Sequence, residues 1–436
     1  MSLPKPGSDE LRKLTWMDPY DELWYRVLVG RVITSVERAL KGPAEVFSYR
    51  VESTVPAWRL VDHRTAHRLR RERGKELLHR ASCKGIGTLD VRHYYPSVVP
   101  TALADVLAEA SAAPGAVALI CRFLEALPML GMPHGLPIGA EASGVLGNAM
   151  LVGVDRALSS VAQGHVRYTD DSWVFLDDPA SWGEVVARYG DAAGAVGLAL
   201  NPNKVQFLAK EDGEADDVLS NGRVDSMIGL AGGFVPVEVA AEELEQQMSL
   251  PEPDWSTVRF SLGALARDRS AAGLDVLYSH PELFVEAPVN TGDYLLALAA
   301  DKKRRSRIDR DWLVDFATAP PDGRTVAARV HACRVVHRLR VGRDHGQRFE
   351  DVALSSARPR NVPLQAWAAA AWGTSEAHRP GTAVANATHV GELPIRRSFA
   401  LTIDPERTSP TKCRKWATHL ATVEPDLLPS VKRLRR

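Results

Sequence analysis

The segment His165–Leu176 reads His-Val-Arg-Tyr-Thr-Asp-Asp-Ser-Trp-Val-Phe-Leu, with two adjacent aspartates between strand-forming runs. Aromatic and β-branched residues on both sides of a polar centre predict a β-hairpin with Asp170 and Asp171 at its tip. Two like charges side by side repel, and a cation between them relieves that cost. The dipeptide alone is a weak signal, because the chain has two other such pairs and neither lies between two strand-like halves: Asp177-Asp178 and Asp216-Asp217.

A second strand-like stretch, residues 88–98, carries Asp90 at its end and continues through Tyr94, Tyr95 and Pro-Ser. An aspartate at the end of a strand can lie beside a neighbouring hairpin. Two Mg²⁺ ions about 4 Å apart need roughly three carboxylate arms plus substrate phosphates. Asp90, Asp170 and Asp171 would supply those arms.

Residues 135–148, between these two stretches, open with glycine and proline and continue as a helix of small residues. Small residues allow close approach of another backbone or of a base pair, and tight helix packing needs the same residues. Upstream, residues 59–80 are basic, with three acids against eight cations, namely Arg59, Arg64, Arg68, Arg70, Arg71, Arg73, Lys75 and Arg80. This basic stretch is either a solvated helix face or a phosphate-binding surface.

Four stretches in this order resemble the palm motifs of reverse transcriptases. They are Leu89-Asp90 through Val98, Gly135 through Asn148, Tyr168-Thr169-Asp170-Asp171, and Gly197-Leu198-Ala199-Leu200-Asn201-Pro202-Asn203-Lys204. The resemblance covers about residues 45–230. It departs from retroelement enzymes in having Pro-Ile-Gly at 137–139, and it is most similar to bacterial abortive-infection and defence-associated reverse transcriptases.

The resemblance implies catalysis by Asp90, Asp170, Asp171 and Lys204, with the three aspartates holding two Mg²⁺ ions, or Mn²⁺ instead. Lys204 would protonate the leaving pyrophosphate, and a surface lysine after a turn is the alternative. Tyr95 would block a 2′-hydroxyl and so select dNTPs, and a core tyrosine is the alternative. The remaining substrate-binding candidates are Val91, Arg92, Gly139, Ser143, Arg68, Arg70 and Arg71.

The pattern predicts an α+β fold, with a right-hand polymerase palm and fingers followed by an all-α C-terminal domain. We expect a helical fingers region at 1–85, the palm at 86–230, and a helical domain at 235–436 that replaces the thumb, in the manner of an α-repeat. Between the strands, helices are expected at 100–127, 141–162 and 181–197.

Composition limits the remaining function classes. The 54 basic and 54 acidic residues give no net charge, so any nucleic-acid surface must be local, and Lys302–Arg307 is a candidate. Four scattered cysteines, no apolar leader and no long apolar run favour a protein of the reducing cytoplasm without a membrane span.

The expected function is DNA synthesis from dNTPs in antiviral defence, either on an RNA template, including a dedicated non-coding RNA, or without a template. A protein hydroxyl is a conceivable primer, with Tyr278 and Tyr294 as candidates, and a homo-oligomer is left open. Three alternatives remain: a retron or intron-type reverse transcriptase, an RNA polymerase, and an inactive palm that binds nucleic acid. Tyr95 argues against the RNA polymerase.

Overall fold

The computed structural model describes residues 2–4, 11–15, 17, 19–42, 44–54, 57–129, 132–219, 235–320, 325–356, 361–389, 392–403 and 408–423. The chain divides into two compact units. The first, here called the sheet unit, is Leu14–Gly222, and the second, the helical unit, joins Met1–Lys13 to Arg223–Arg436. The predicted start of a helical domain at 235 lies close to this division. The sheet unit contains both residues 14–85 and the predicted palm, so a boundary at 85 stays a prediction.

Strands occupy short stretches of the chain. They are β1 (Ser2–Pro4), β2 (Leu11–Lys13), β3 (Glu45–Val46), β4 (Val51–Ser53), β5 (Arg59–Leu60), β6 (Gly85–Leu89), β7 (Gly164–Tyr168), β8 (Asp171–Leu176) and β9 (Gln206–Ala209). Five of them form one sheet in the order β3-β7-β8-β6-β9, in which only β3 and β7 are parallel.

Helices of the sheet unit are α1 (Pro19–Gly30), α2 (Ile33–Ala39), α3 (His63–Leu78), α4 (Tyr94–Ser97), α5 (Pro100–Glu109), α6 (Pro114–Met129), α7 (Glu141–Met150), α8 (Val152–Leu158), α9 (Trp182–Ala195) and α10 (Glu214–Leu219). Asp62 caps α3 by accepting from the amides of Arg64 and Thr65. The predicted helices over 100–127, 141–162 and 181–197 are confirmed, the first two as pairs of helices.

Alternation along the strands places one core on each face of the sheet. Trp173 and Phe175 of β8 pack with Leu77 and Leu78 of α3, whereas Val174 and Leu176 join the larger core with α5 to α9. The sheet is therefore covered on both faces. Polar side chains meet where strands of the sheet end, at Asp90 after β6 and at the turn between β7 and β8.

The helical unit contains α11 (Val237–Met248), α12 (Trp255–Arg267), α13 (Leu274–Ser279), α14 (Glu282–Glu286), α15 (Pro288–Ala300), α16 (Arg310–Thr318), α17 (Val326–Leu339), α18 (Arg343–Leu354), α19 (Val362–Thr374), α20 (Pro380–His389), α21 (Leu393–Thr402) and α22 (Pro410–Val423). One apolar core runs through it, and the α+β class with a helical C-terminal part is confirmed. Within the described ranges, every helix is too short or too polar to cross a lipid bilayer.

Candidate functional site

Asp90 lies directly after β6 and is only 6% exposed. Two residues of the segment that follows α9 donate hydrogen bonds to its carboxylate. The Asn201 side-chain amide donates to Oδ2 at 3.0 Å, and Lys204 Nζ donates to Oδ1 at 3.0 Å. The backbone of Asn201 also donates to the Asp90 carbonyl. The first and fourth predicted motifs therefore meet at this carboxylate.

Asp170 lies in the two-residue turn between β7 and β8, whose first residue, Thr169, has a φ of +54°. Burial, followed by the nearby Asp90 carboxylate, raises the pKa of Asp170 to about 6. The structure thus brings Asp90 and Asp170 together, as the sequence predicts. An acidic pair of this kind holds excess negative charge that a cation would stabilise.

The raised pKa of Asp170 predicts a pH-dependent stability difference between the wild-type protein and Asp170→Asn. Below about pH 3 the carboxyl is mostly protonated in both the folded and the unfolded chain, so its charge has little effect on stability. As the pH rises, the unfolded chain loses its proton first, and above about pH 6 the folded protein bears the full cost of the ionised group. Asp170→Asn removes that cost and so raises the free energy of unfolding at neutral pH by at most about 3 kcal/mol.

We expect urea unfolding in EDTA to show the stabilities of Asp170→Asn and the wild-type protein converging near pH 3 and diverging up to pH 7, with the variant more stable. EDTA keeps divalent cations from masking the effect. Parallel stability curves across this range would contradict the raised pKa.

The Asp171 side chain pairs with Arg70, which belongs to α3. Arg70 of α3 donates to its Oδ2 at 2.9 Å and to its backbone oxygen at 3.0 Å. The Arg70 guanidinium lies 3.5 Å from the centre of the Trp173 ring, and its side chain is 5% exposed. Arg70 is thus committed to the hairpin, and this placement does not favour its predicted contact with a triphosphate.

The three predicted metal ligands are therefore not equivalent. Among the residues that the structure describes, no group of three or more Asp, Glu, His or Cys side chains is arranged to hold a metal ion. Asp90 and Asp170 fit a divalent cation by their oxygen donors and by their mutual repulsion, which Lys204, paired with Asp90, offsets only in part. Asp171 already has its charge matched by Arg70, so its part as a ligand stays a prediction.

A buried polar network holds the hairpin from beneath. Arg167, in β7, is fully buried and donates to both oxygens of Asp155, at 2.8 and 2.7 Å. The same guanidinium donates to Asn148 Oδ1 at 3.0 Å and to the Thr169 carbonyl at 2.7 Å. The Thr169 amide in turn donates to Ser48 Oγ at 2.7 Å. Thr169, the first residue of the turn that carries Asp170, is therefore held through both its backbone amide and its backbone carbonyl.

In the 135–148 stretch, the small residues leave space that aromatic side chains or neighbouring backbone atoms occupy. A Cβ on Gly147 would lie 3.1 Å from the Tyr95 ring, and the Tyr94 hydroxyl donates to the Gly147 carbonyl. Gly135 has a φ of +81°, and a Cβ there would lie 2.2 Å from the Tyr95 carbonyl oxygen. These contacts explain why the stretch lacks large side chains, and they favour the packing alternative for the residues involved.

Gly135→Ala is expected to destabilise the sheet unit by more than about 1 kcal/mol, because alanine is strained at positive φ and the new methyl group meets backbone. Gly197→Ala is the matched control. Its φ of +77° is nearly the same, and no atom lies within 4 Å of the added carbon. Urea unfolding should show the larger loss for Gly135→Ala, and equal losses would mean that the close contact carries no cost.

The other predicted substrate-binding residues lie in varied surroundings. Val91 is 2% exposed and bridges to Leu200, whereas Arg92 is exposed. Ser143 is buried, with its hydroxyl 3.2 Å from the Tyr25 hydroxyl. Gly139 has open space around its missing side chain. Substrate contact stays a prediction for all of them, and the burial of Ser143 favours a packing role.

The two remaining finger candidates differ in exposure. Arg68 is exposed and pairs with Glu72 along α3, and Arg71 is partly buried. In the helical unit, the Lys302–Arg307 stretch is exposed except at Arg305. The priming candidate Tyr294 is fully buried and donates to the Ser270 carbonyl, which argues against a priming role.

Several residues of the site received no role from the sequence. Asn201 bonds Asp90, Ser48 holds the hairpin turn, and Tyr49 contacts Tyr95. Asn201 stands inside a recognised motif, and its position before Pro-Asn signals a side-chain turn. Ser48 and Tyr49 precede every recognised motif, so the local sequence carries no sign of them.

No protein-family model matches this chain, and no curated protein matches it.

Proposed function

We propose that this chain is a reverse transcriptase-like nucleotidyltransferase that adds dNTPs to a hydroxyl primer. The observation that supports this most is the pairing of Asp90 with Asp170, two carboxylates far apart in sequence whose mutual repulsion calls for a cation. Four sequence motifs in the order typical of reverse transcriptases support the same reading. In finer detail, the proposal takes the sheet unit as palm and fingers and the helical unit as a thumb replacement.

The reaction joins the primer oxygen to the α-phosphorus of a dNTP, breaks the bond to pyrophosphate and releases the hydroxyl proton. Two Mg²⁺ ions, when bound, would supply charge neutralisation and hydroxyl activation. Asp90 and Asp170 would hold them, with Asp171 beside them. Lys204 Nζ, whose side chain is 61% exposed, would carry the proton that the leaving pyrophosphate takes up.

Selection of deoxynucleotides is assigned in this proposal to Tyr95. Its ring is partly exposed, packs near Tyr94 with ring centres 5.2 Å apart, and lies within electrostatic reach of Asp170. A ring at this position would collide with a 2′-hydroxyl. Arg92 and Arg68, both exposed, are available to an incoming triphosphate.

The biological role that we propose is bacterial antiviral defence, with RNA or DNA as partner. The basis for that role is the sequence resemblance to defence-associated enzymes. A retron or intron-type enzyme shares the same chemistry and differs in copying a defined RNA.

The proposal is tested by incubating the purified protein with each labelled dNTP or rNTP, with Mg²⁺ or Mn²⁺, and with or without RNA. Nucleic acid that copurifies is sequenced in parallel. We expect deoxynucleotide products and little ribonucleotide addition. If no nucleotide of either kind is added under any of these conditions, the proposed function is wrong.

A second candidate is a catalytically inactive palm that binds nucleic acid. It is favoured by the internal neutralisation of two of the three aspartates, Asp90 by Lys204 and Asp171 by Arg70. This candidate predicts nucleic-acid binding that weakens with salt, together with no nucleotide addition. The same assay, followed by a binding measurement, separates the two candidates.

A further inference from the structure

Tyr49 occupies a position that the motifs do not predict. It follows β3 and has a φ of +48°, which is uncommon for an aromatic residue. Its neighbours fix it on both sides. The Ser48 carbonyl accepts from the Asn148 side chain at 2.6 Å, and Arg50 pairs with Glu37 at 2.9 Å. The left-handed backbone is thus held by contacts to α7 and α2.

The Tyr49 ring lies against Gly144, in the middle of α7. An added Cβ on Gly144 would come within 2.2 Å of the ring's Cγ atom and 2.4 Å of both Cδ atoms. This contact exists only because residue 144 has no side chain. One turn further along α7, a Cβ on Gly147 would lie 3.1 Å from the Tyr95 ring and 3.2 Å from the Tyr94 hydroxyl. The two glycines therefore let Tyr49 and Tyr95 pack on the same face of α7, one turn apart.

Burial raises the pKa of Tyr95, and the nearby Tyr49 raises it further. Tyr49 also lies within electrostatic reach of Tyr168, the residue before the turn that carries Asp170. Tyr95 is thus supported by Tyr94 from one direction and by Tyr49 from another. A ring that excludes a 2′-hydroxyl must keep its position to within a fraction of an ångström, because small displacements reopen the space.

We propose that Tyr49 is a positioning residue for sugar selection, which holds the Tyr95 ring where it excludes ribonucleotides. This inference rests on the proposed function and adds to it a residue and a direction of effect. Loss of the Tyr49 ring removes a neighbour that limits the movement of Tyr95, and a methyl group on residue 144 displaces that ring. Both changes admit ribonucleotides more than they slow deoxynucleotide addition.

The experiment compares kcat/KM for a dNTP and the matching rNTP in the wild-type protein, Tyr49→Phe, Tyr49→Ala and Gly144→Ala. We expect Tyr49→Ala to lower the preference for the dNTP by about two- to tenfold, the range for loss of one contact between aromatic rings. Gly144→Ala should act in the same direction by displacing the Tyr49 ring. Tyr49→Phe keeps the ring and should keep the preference within about twofold of the wild-type value. Gly190→Ala is the matched control, since nothing lies within 4 Å of the carbon that it adds to α9.

The ratio separates positioning from general damage, because a partly unfolded sample lowers both rates equally. Gly144→Ala keeps the test valid if Tyr49→Ala fails to fold. An unchanged preference in Tyr49→Ala and Gly144→Ala, with an active wild-type protein, overturns this inference alone. A wild-type protein that adds neither kind of nucleotide overturns the proposed function and this inference with it.

Discussion

Asp170→Asn is expected to abolish nucleotide addition, with a loss of at least about 10³-fold if the carboxylate supplies ~4 kcal/mol of transition-state stabilisation. Asparagine keeps the shape of the side chain and the hairpin turn, but it loses the charge that would hold a cation. The measurement is the initial rate of dNTP incorporation at saturating Mg²⁺. The same variant should be more stable than the wild-type protein in EDTA at pH 7, since the ionised carboxyl is costly there.

The control for this variant is Asp177→Asn. Asp177 is an exposed aspartate at the other end of β8, in one of the isolated Asp-Asp pairs. We expect its activity to stay within about twofold of the wild-type rate, because surface substitutions rarely change more than ~0.5 kcal/mol. If Asp170→Asn keeps a comparable activity, then the carboxylate pair is not the catalytic centre.

Asp155→Asn is expected to destabilise the sheet unit by about 3–5 kcal/mol, the usual cost of removing one partner of a buried ion pair. The reason is that Arg167, 0% exposed, would keep its charge without a carboxylate to match it. The measurement is urea unfolding, with hydrogen exchange at the amides of β7 and β8 to identify the transition of the sheet unit.

Two further variants complete the test of the buried pair. Asp155→Leu combined with Arg167→Met removes both charges and should lose less than the two single changes together, which a double-mutant cycle measures. Glu184→Gln breaks an exposed pair with Arg188 on α9 and should cost about 0.5 kcal/mol or less. A small loss for Asp155→Asn, similar to that of Glu184→Gln, would mean that the network does not stabilise the hairpin.

The hairpin and the strand that ends at Asp90 could be predicted from sequence because their signals are local. An alternating or continuous apolar run, a polar tip and a turn lie within a dozen residues in each case. The meeting of Asp90 with Asp170 followed from the order of motifs. These parts of the fold and site needed only short-range patterns.

The roles of Arg70 and Arg167 could not be predicted, because both depend on long-range contacts. Arg70 belongs to a basic helix whose other Lys and Arg side chains are exposed or only partly buried, and its contacts with Trp173 and Asp171 of the sheet distinguish it. Its burial lowers the pKa of its guanidinium, an effect that Asp171 opposes. Arg167 lies in the middle of the hairpin strand, where the sequence gives no sign of Asp155 or Asn148.

The contacts of Arg167 and Ser48 with the Thr169 backbone have a consequence for how the site would operate. Both backbone polar groups of Thr169 are hydrogen-bonded in the free protein, so little conformational entropy is lost if a ligand binds without moving the turn. The activity of the proposed enzyme would then be controlled by access of its substrates to the site. Before the turn itself could rearrange, the buried guanidinium of Arg167 would have to lose its hydrogen bond to the Thr169 carbonyl.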